Sequence, residues 1–382
     1  MRKVSAATVR RIVGAMLVLL TAASCASPDG VLVPVSEPSP GTDRVDLLAA
    51  TTRERTGEPG VIFSGERGDT LSFENIIVSI PQNREVGAVQ WPRAGAADPK
   101  RDFAVISTKA LARADVPKWF NSGLRKKKRV LIFVHGYNSR FESAVFHFAQ
   151  LVHDMNADAE PVLFSWPSRG RLLDYNYDRE SATFSRGDLA DVLRAAVRSP
   201  DVNDVVVLAH SMGAWVTMEA LRQIALQDGR VPAKISSVIL ASPDLDVDVF
   251  RRQVTEIGPD RPRITIFVSR HDRALHLSSL LAGRVARVGA VDLTQSENVA
   301  RLESMPGIVV LDLSALQSGD ALNHSKFATS PTVVRLLGER LITGREIQDP
   351  EIGAVTAAHT LGDVVGSVVA TPIVSFTAGL RD

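Results

Sequence analysis

The chain has one cysteine in 382 residues, Cys25, so no disulfide can close within it. It has no excess of either charge: 44 Lys and Arg stand against 43 Asp and Glu, a net charge of +1. That balance argues against a nucleic-acid surface as the main partner. The one concentrated basic run is Arg125-Lys126-Lys127-Lys128-Arg129. It reads first as a solvated guard before the apolar strand that follows, with a phosphate or anionic-lipid contact as the rival. Metal and cofactor signatures are lacking too. His147 and His153 share a helical stretch without the H-E-x-x-H spacing, and neither a glycine-rich phosphate loop nor a dinucleotide fingerprint occurs. No metal and no cofactor is expected. Two apolar stretches are poor membrane spans. Ile12 to Ala23 is short, and Ile352 to Phe376 is interrupted by His359, Gly362, Asp363, Gly366 and Pro372.

What is present begins with a basic n-region, Met1-Arg2-Lys3 and Arg10-Arg11, followed by the apolar Ile12 to Ala23. Ala22-Ala23-Ser24-Cys25 then resembles a bacterial lipobox, in which the cysteine is acylated. Residues 1–24 are expected to be a signal peptide and Cys25 a lipid anchor at the cell envelope. Ordinary cleavage giving a soluble periplasmic or secreted protein is the alternative. Residues 25–43, rich in Pro, Ser and Gly, read as a tether. Residues 44–125 hold short apolar pieces, including Val61 to Phe63, Leu71 to Phe73, Ile76 to Ile80 and Phe103 to Ile106. They suggest a β-rich N-terminal extension packed on the main domain. From 126 to 345, buried strands and helices alternate: strands at Val130–Val134, Pro161–Trp166, Asp204–Ala209, Ile235–Ala241, Ile264–Ser269 and Gly307–Leu311, with helices such as Phe141–Asp154, Glu180–Val197 and Met212–Leu226. That alternation means an α/β fold, a mostly parallel doubly wound sheet with helices on both faces. Residues 346–382 form a tail with no functional reading.

The chain is organised around Val205-Val206-Val207-Leu208-Ala209-His210-Ser211-Met212-Gly213. An apolar strand, a sharp turn carrying serine, then a helix is the nucleophile elbow of an α/β-hydrolase. Its tight approach needs small residues two before and two after the serine, here Ala209 and Gly213. A serine hydroxyl needs a base, and the base an orienting acid, in chain order Ser, acid, His. Asp272 follows the strand ending at Ser269, with Asp244 and Asp246 as runners-up. His324 lies in the loop beyond the last strand. Taken singly these are a helix cap, a turn residue and a solvated histidine. Their joint order and strand placement point to a triad. The oxyanion hole would take backbone N–H groups from Met212 and from Tyr137, in the loop His135-Gly136-Tyr137-Asn138. His135 reads as a prop that holds this loop by hydrogen bonding, with a second base as its rival, and His210 as a residue that packs beside the nucleophile. The loop Pro167 to Arg179 opens at the same mouth and offers Arg169, Tyr175 and Tyr177 as substrate contacts.

Val130 to Asp154, Leu163 to Ala182 and Leu208 to Leu221 together resemble an uncharacterised bacterial α/β-hydrolase family, a domain of unknown function labelled esterase/lipase-like. Phe63-Ser64-Gly65-Glu66-Arg67-Gly68 is similar to that family's N-terminal extension. The resemblance covers roughly Arg44 to Leu341. It implies the fold and a serine-hydrolase triad, carried here by Ser211, Asp272 and His324, but no defined substrate. The expectation is a carboxylic-ester hydrolase acting on a small-molecule or lipid-like ester at the cell envelope. The rivals are a peptidase or thioesterase with the same triad, or a binding lipoprotein that keeps the fold without turnover.

Overall fold

Strands buried on both faces carry apolar residues at every position, whereas half-buried strands alternate. The central runs of this chain are of the first kind. A computed structural model describes residues 30–35, 41–93, 97–122, 128–156, 158–298, 305, 307–316 and 320–343. The expected signal peptide, the Cys25 anchor, most of the tether, Arg125 to Lys127 and the 346–382 tail lie outside them.

Nine strands form one sheet: β1 (Asp43–Arg55), β2 (Phe63–Ile80), β3 (Ala104–Leu111), β4 (Arg129–Val134), β5 (Glu160–Ser165), β6 (Asp204–His210), β7 (Ile235–Ala241), β8 (Arg263–Val268) and β9 (Ile308–Asp312). Their order is β3-β2-β1-β5-β4-β6-β7-β8-β9. The stretch β1 to β9 is parallel, and β2 and β3 complete it as an antiparallel edge. Nine helices are described: α1 (Val116–Ser122), α2 (Phe141–Met155), α3 (Tyr175–Phe184), α4 (Arg186–Arg198), α5 (Met212–Asp228), α6 (Val247–Ile257), α7 (Arg273–Leu281), α8 (Lys326–Thr329) and α9 (Pro331–Thr343). Side chains alternate across a strand, so the sheet feeds two cores. Val130, Ile132 and Val134 of β4 pack with Val205, Val207 and Ala209 of β6 and with α4, α5 and α6. Leu131, Phe133, Val206 and Leu208 face the other way, onto α2 and α9.

The N-terminal extension is β-rich, and its three strands continue the main sheet. β1 lies between β2 and β5, with Leu48 opposite Val162 and Thr51 opposite Ser165. Pairing on both edges holds Leu48 to Thr51 in a strand, and Leu47 to Arg53 are all buried, although Ala49 and Ala50 are poor strand formers. The expected helix Glu180–Val197 is two helices broken at Ser185. There the hydroxyl donates to the Ser181 carbonyl (2.8 Å) and meets the Thr52 hydroxyl (2.7 Å), a local competition that bends helices. Helix α6 carries no sequence expectation. Asp246 starts it, its carboxylate accepting from Val249 N–H at 2.8 Å, so this runner-up acid is a helix cap.

Candidate active site

β6 runs into α5 with Ser211 at the junction. Ser211 has φ +53° and ψ −122°, a region that side chains avoid at a cost of about 1–3 kcal/mol. Neighbouring backbone holds it there: its N–H donates to Ala241 O (3.0 Å), and its carbonyl accepts from Ala214 N–H (3.0 Å) and Asp244 N–H (3.1 Å). The approach of α5 to β4 dictates the small residues around it. A Cβ at Gly213 would stand 2.5 Å from the carbonyl oxygens of Val134 and His135, and one at Gly136 would stand 2.8 Å from Ser211 Cβ.

Asp272, fully buried, follows β8 and uses both carboxylate oxygens. Oδ1 accepts from Leu275 N–H at 3.0 Å, capping α7, and Oδ2 accepts from His324 Nδ1 at 2.7 Å. His324 is fixed from behind by its own N–H donating to Asp320 (2.8 Å). Its ring centroid lies 4.7 Å from that of His210, the residue just before Ser211. The His210 Nε2–H faces the His324 carbonyl at 3.3 Å. Burial alone would push the His324 imidazole down, but the hydrogen bond and charge of Asp272 outweigh it and hold it above its ordinary value. His210 moves the other way. Burial, and then the neighbouring His324, push it well below its usual value, so it stays neutral and packs, against Phe327 as well.

The structure therefore brings Ser211, His324 and Asp272 to the carboxyl end of one sheet. Residues 112–340 match the family described as "Alpha/beta hydrolase of unknown function (DUF900)". The chain belongs to that family. An uncharacterized protein of Nostoc sp. is 32% identical over 28% of this chain and 35% of that protein, so the match spans about a third of that relative's length. Among solved structures, a predicted CIB-like hydrolase from Thermoplasma acidophilum aligns over 79% of this chain and 99% of its own, at 12% identity and a TM-score of 0.37. An esterase of Pyrobaculum calidifontis aligns over 88% and 93%, at 11% and 0.33. The carboxylesterase CesB of Bacillus subtilis aligns over 59% and 87%, at 11% and 0.34. Likeness this remote does not bear on substrate.

In this DUF900 chain the second runner-up acid, Asp244, has a different set of partners. Its carboxylate meets Arg287 at 3.0 Å, accepts from the Tyr175 hydroxyl at 3.1 Å, and accepts from the Ser278 hydroxyl. It braces the elbow through its backbone while its charge is answered by arginine. Tyr175 is thereby built into the wall instead of standing free for substrate. Arg169 and Tyr177 are likewise engaged within the protein. Arg169 forks onto Glu66 at 2.8 and 3.0 Å, stacks over Tyr177 at 3.6 Å, and Tyr177 donates to Glu66 at 3.0 Å. The three expected substrate contacts thus clamp loops, two of them fastening the β2 segment to the loop after β5.

The β4 loop is pinned from several sides. Asn138 N–H donates to Asp178 (3.1 Å), Ser139 N–H to Ser168 Oγ (3.0 Å), and Trp166 Nε1 to the His135 carbonyl (2.9 Å). Among the described residues, no acceptor meets the N–H of Tyr137 or of Met212. Two buried residues escaped sequence reading. Asp178, held above its usual range by burial, accepts from Ser168 Oγ (2.5 Å) and from Arg169 N–H (3.1 Å). Arg53, on β1, lies beneath the same loop. A cation placed directly after the uncharged run Leu47 to Thr52 was the available signal. Among the described residues no His, Cys, Asp or Glu cluster is suited to a metal, and no helix is long and apolar enough to cross a membrane. A cavity of about 580 Å³ lies elsewhere, between α1, β2 and α4, and holds none of these groups.

Proposed function

We propose that the protein is a serine hydrolase of carboxylic esters, and the observation that carries this reading is the Asp272–His324 bond beside the strained Ser211 elbow. Asp272 fixes the proton of His324 on Nδ1 and leaves Nε2 as the base. Ser211 Oγ attacks the acyl carbon while its proton passes to Nε2. The oxyanion that forms is met by the N–H groups of Tyr137 and Met212, each worth about 3 kcal/mol to the transition state. The alcohol leaves with the proton from His324. Water, deprotonated by the same nitrogen, then releases the acid from the acyl-enzyme.

Exposed leucines support an apolar acyl group. Leu172 and Leu173 follow β5, Leu277, Leu280 and Leu281 lie on α7, and Leu322 precedes His324. The Tyr137 hydroxyl donates to the Leu172 carbonyl, and Arg273 N–H to that of Leu322 (2.9 Å), so Leu172 and Leu322 border the loops that carry the site. Leu173 is 97% exposed. Each methylene buried against such a rim is worth up to about 0.8 kcal/mol, roughly fourfold. Across straight-chain esters, kcat/KM is expected to climb with acyl length. Serine at both Leu172 and Leu173 should flatten that climb while leaving acetate esters unaffected. A profile already flat in the native protein would remove the apolar-acyl reading.

The cell-envelope location and a lipid on Cys25 rest on the N-terminal pattern alone. Expressed in a bacterium, the full chain should partition with membranes, and the Cys25→Ala variant should move to the soluble exported fraction. Recovery of the native chain in the cytosol would end this proposal.

A further inference from the structure

Arg53 enters the site from an unexpected direction. It sits on β1, outside the matched family region, and is 1% exposed. All five of its N–H donors are directed at acceptors. Nε donates to Ser165 Oγ (2.8 Å). Nη1 donates to the carbonyls of Ser64 (3.1 Å) and Ser168 (2.8 Å). Nη2 reaches the Ser139 carbonyl (2.7 Å) and His135 Nε2 (3.3 Å). A guanidinium can only donate. His135 Nε2 must therefore present a lone pair, and the ring proton of the neutral imidazole must sit on Nδ1. Nδ1 lies 2.8 Å from the Gly136 carbonyl oxygen, and Nε2 also lies 3.1 Å from Ser165 Oγ, so its one lone pair is shared between the Arg53 N–H and the Ser165 hydroxyl that Arg53 Nε itself holds. The ring is clamped by stacking on Trp166, centroids 4.9 Å apart. Burial, then the Arg53 charge, push His135 down to about 3, so it remains neutral wherever the protein works. Arg53, lowered by burial to about 10, remains a cation there.

The next step is the peptide itself. The Gly136–Tyr137 bond is trans, and in a trans peptide C=O and N–H point to opposite sides. With the Gly136 carbonyl held by His135 Nδ1–H on the buried side, the Tyr137 N–H is turned to the other side. Gly136 approaches Ser211 closely enough that a Cβ would stand 2.8 Å from the serine Cβ. We propose that Arg53 is a positioning residue which, by fixing the tautomer of His135, sets the Gly136–Tyr137 peptide so that the Tyr137 N–H faces the oxyanion formed on Ser211. The proposal rests on the serine-hydrolase reading for its consequence, though not for its geometry. The opposite tautomer, with the proton on Nε2, would set a lone pair at Nδ1 against the Gly136 oxygen, and the peptide would be driven to flip.

The test separates tautomer from turnover. In the native protein, 15N shifts of the His135 ring should report the proton on Nδ1. In Arg53→Met they should report a shift to Nε2, with kcat reduced ~10²–10³-fold and KM little changed, the loss expected for one oxyanion donor. Because Arg53→Met also strands four other acceptors and could fail to fold, a pair at His135 keeps Arg53 in place. His135→Asn puts an amide N–H near the position of Nδ1–H and should keep kcat within about tenfold, whereas His135→Gln cannot and should lose ~10²–10³-fold. A native ring protonated on Nε2, or equal kcat for His135→Asn and His135→Gln, overturns the relay. If the native protein hydrolyses no ester and a fluorophosphonate leaves Ser211 unlabelled, the hydrolase reading fails by itself, and the ring shifts still decide the tautomer.

Discussion

Replacing Ser211 with alanine should lower kcat on the best ester by about 10⁶-fold, leaving the 10³–10⁴-fold over water that binding and the oxyanion donors supply unaided. Labelling by a fluorophosphonate should vanish with it. The fold should survive, since the backbone bonds to Ala241, Ala214 and Asp244 do not involve the hydroxyl. A second substitution separates strain from chemistry. Glycine accepts φ +53° freely, so Ser211→Gly should be as inactive as the alanine variant yet more stable than the native protein, by up to about 1–3 kcal/mol. A melting temperature for Ser211→Gly below that of the alanine variant would show that the turn is not under strain. Labelling that persists in Ser211→Ala would move the nucleophile elsewhere.

Asp272→Asn is expected to cost about 10⁴-fold in kcat while KM changes little. The amide keeps an oxygen to cap Leu275 N–H, so α7 should stay in place. It sets an N–H donor against His324 Nδ1 where a carboxylate stood at 2.7 Å, which favours the wrong tautomer. The pH profile adds a second reading. As a base, His324 works only when neutral, so native activity should fall as pH drops through a value above the ordinary imidazole range. Without the carboxylate, burial, which is the largest influence and favours the neutral ring, is opposed only by the charges of Asp320 and Asp244. The acid limb of the residual activity should therefore move to lower pH. An acid limb unchanged in Asp272→Asn would show that another group titrates in the native profile, and would return Asp244 to consideration despite its contact with Arg287 at 3.0 Å.

The parallel half of the sheet was legible because its runs are continuous and apolar. Strand β7, Ile235–Ala241, falls where the pattern places it. The placement of Ser211, Asp272 and His324 beyond the carboxyl ends of their strands followed from strand order. What was not legible depended on tertiary partners. β1 carries Ala49, Ala50 and a buried arginine, and only pairing with β2 and β5 makes a strand of it. The break at Ser185 needs Thr52, 133 residues away, to be seen. Arg169, Tyr175 and Tyr177 lie in the loop and helix after β5 as expected, but residue type alone could not show that Glu66 and Asp244 already hold them.

The place of β1 bears on how the protein can be handled. The matched region starts at residue 112, one residue after β3 ends at Leu111. A recombinant piece cut to that boundary would lose the neighbour of β5, whose Val162, Leu163 and Phe164 are fully buried. It would uncover a row of unpaired backbone groups along an apolar strand, the kind of raw border that recruits strands from other molecules and precipitates. Insolubility of such a fragment would reflect the missing seam, and would say nothing against the chemistry of the intact chain.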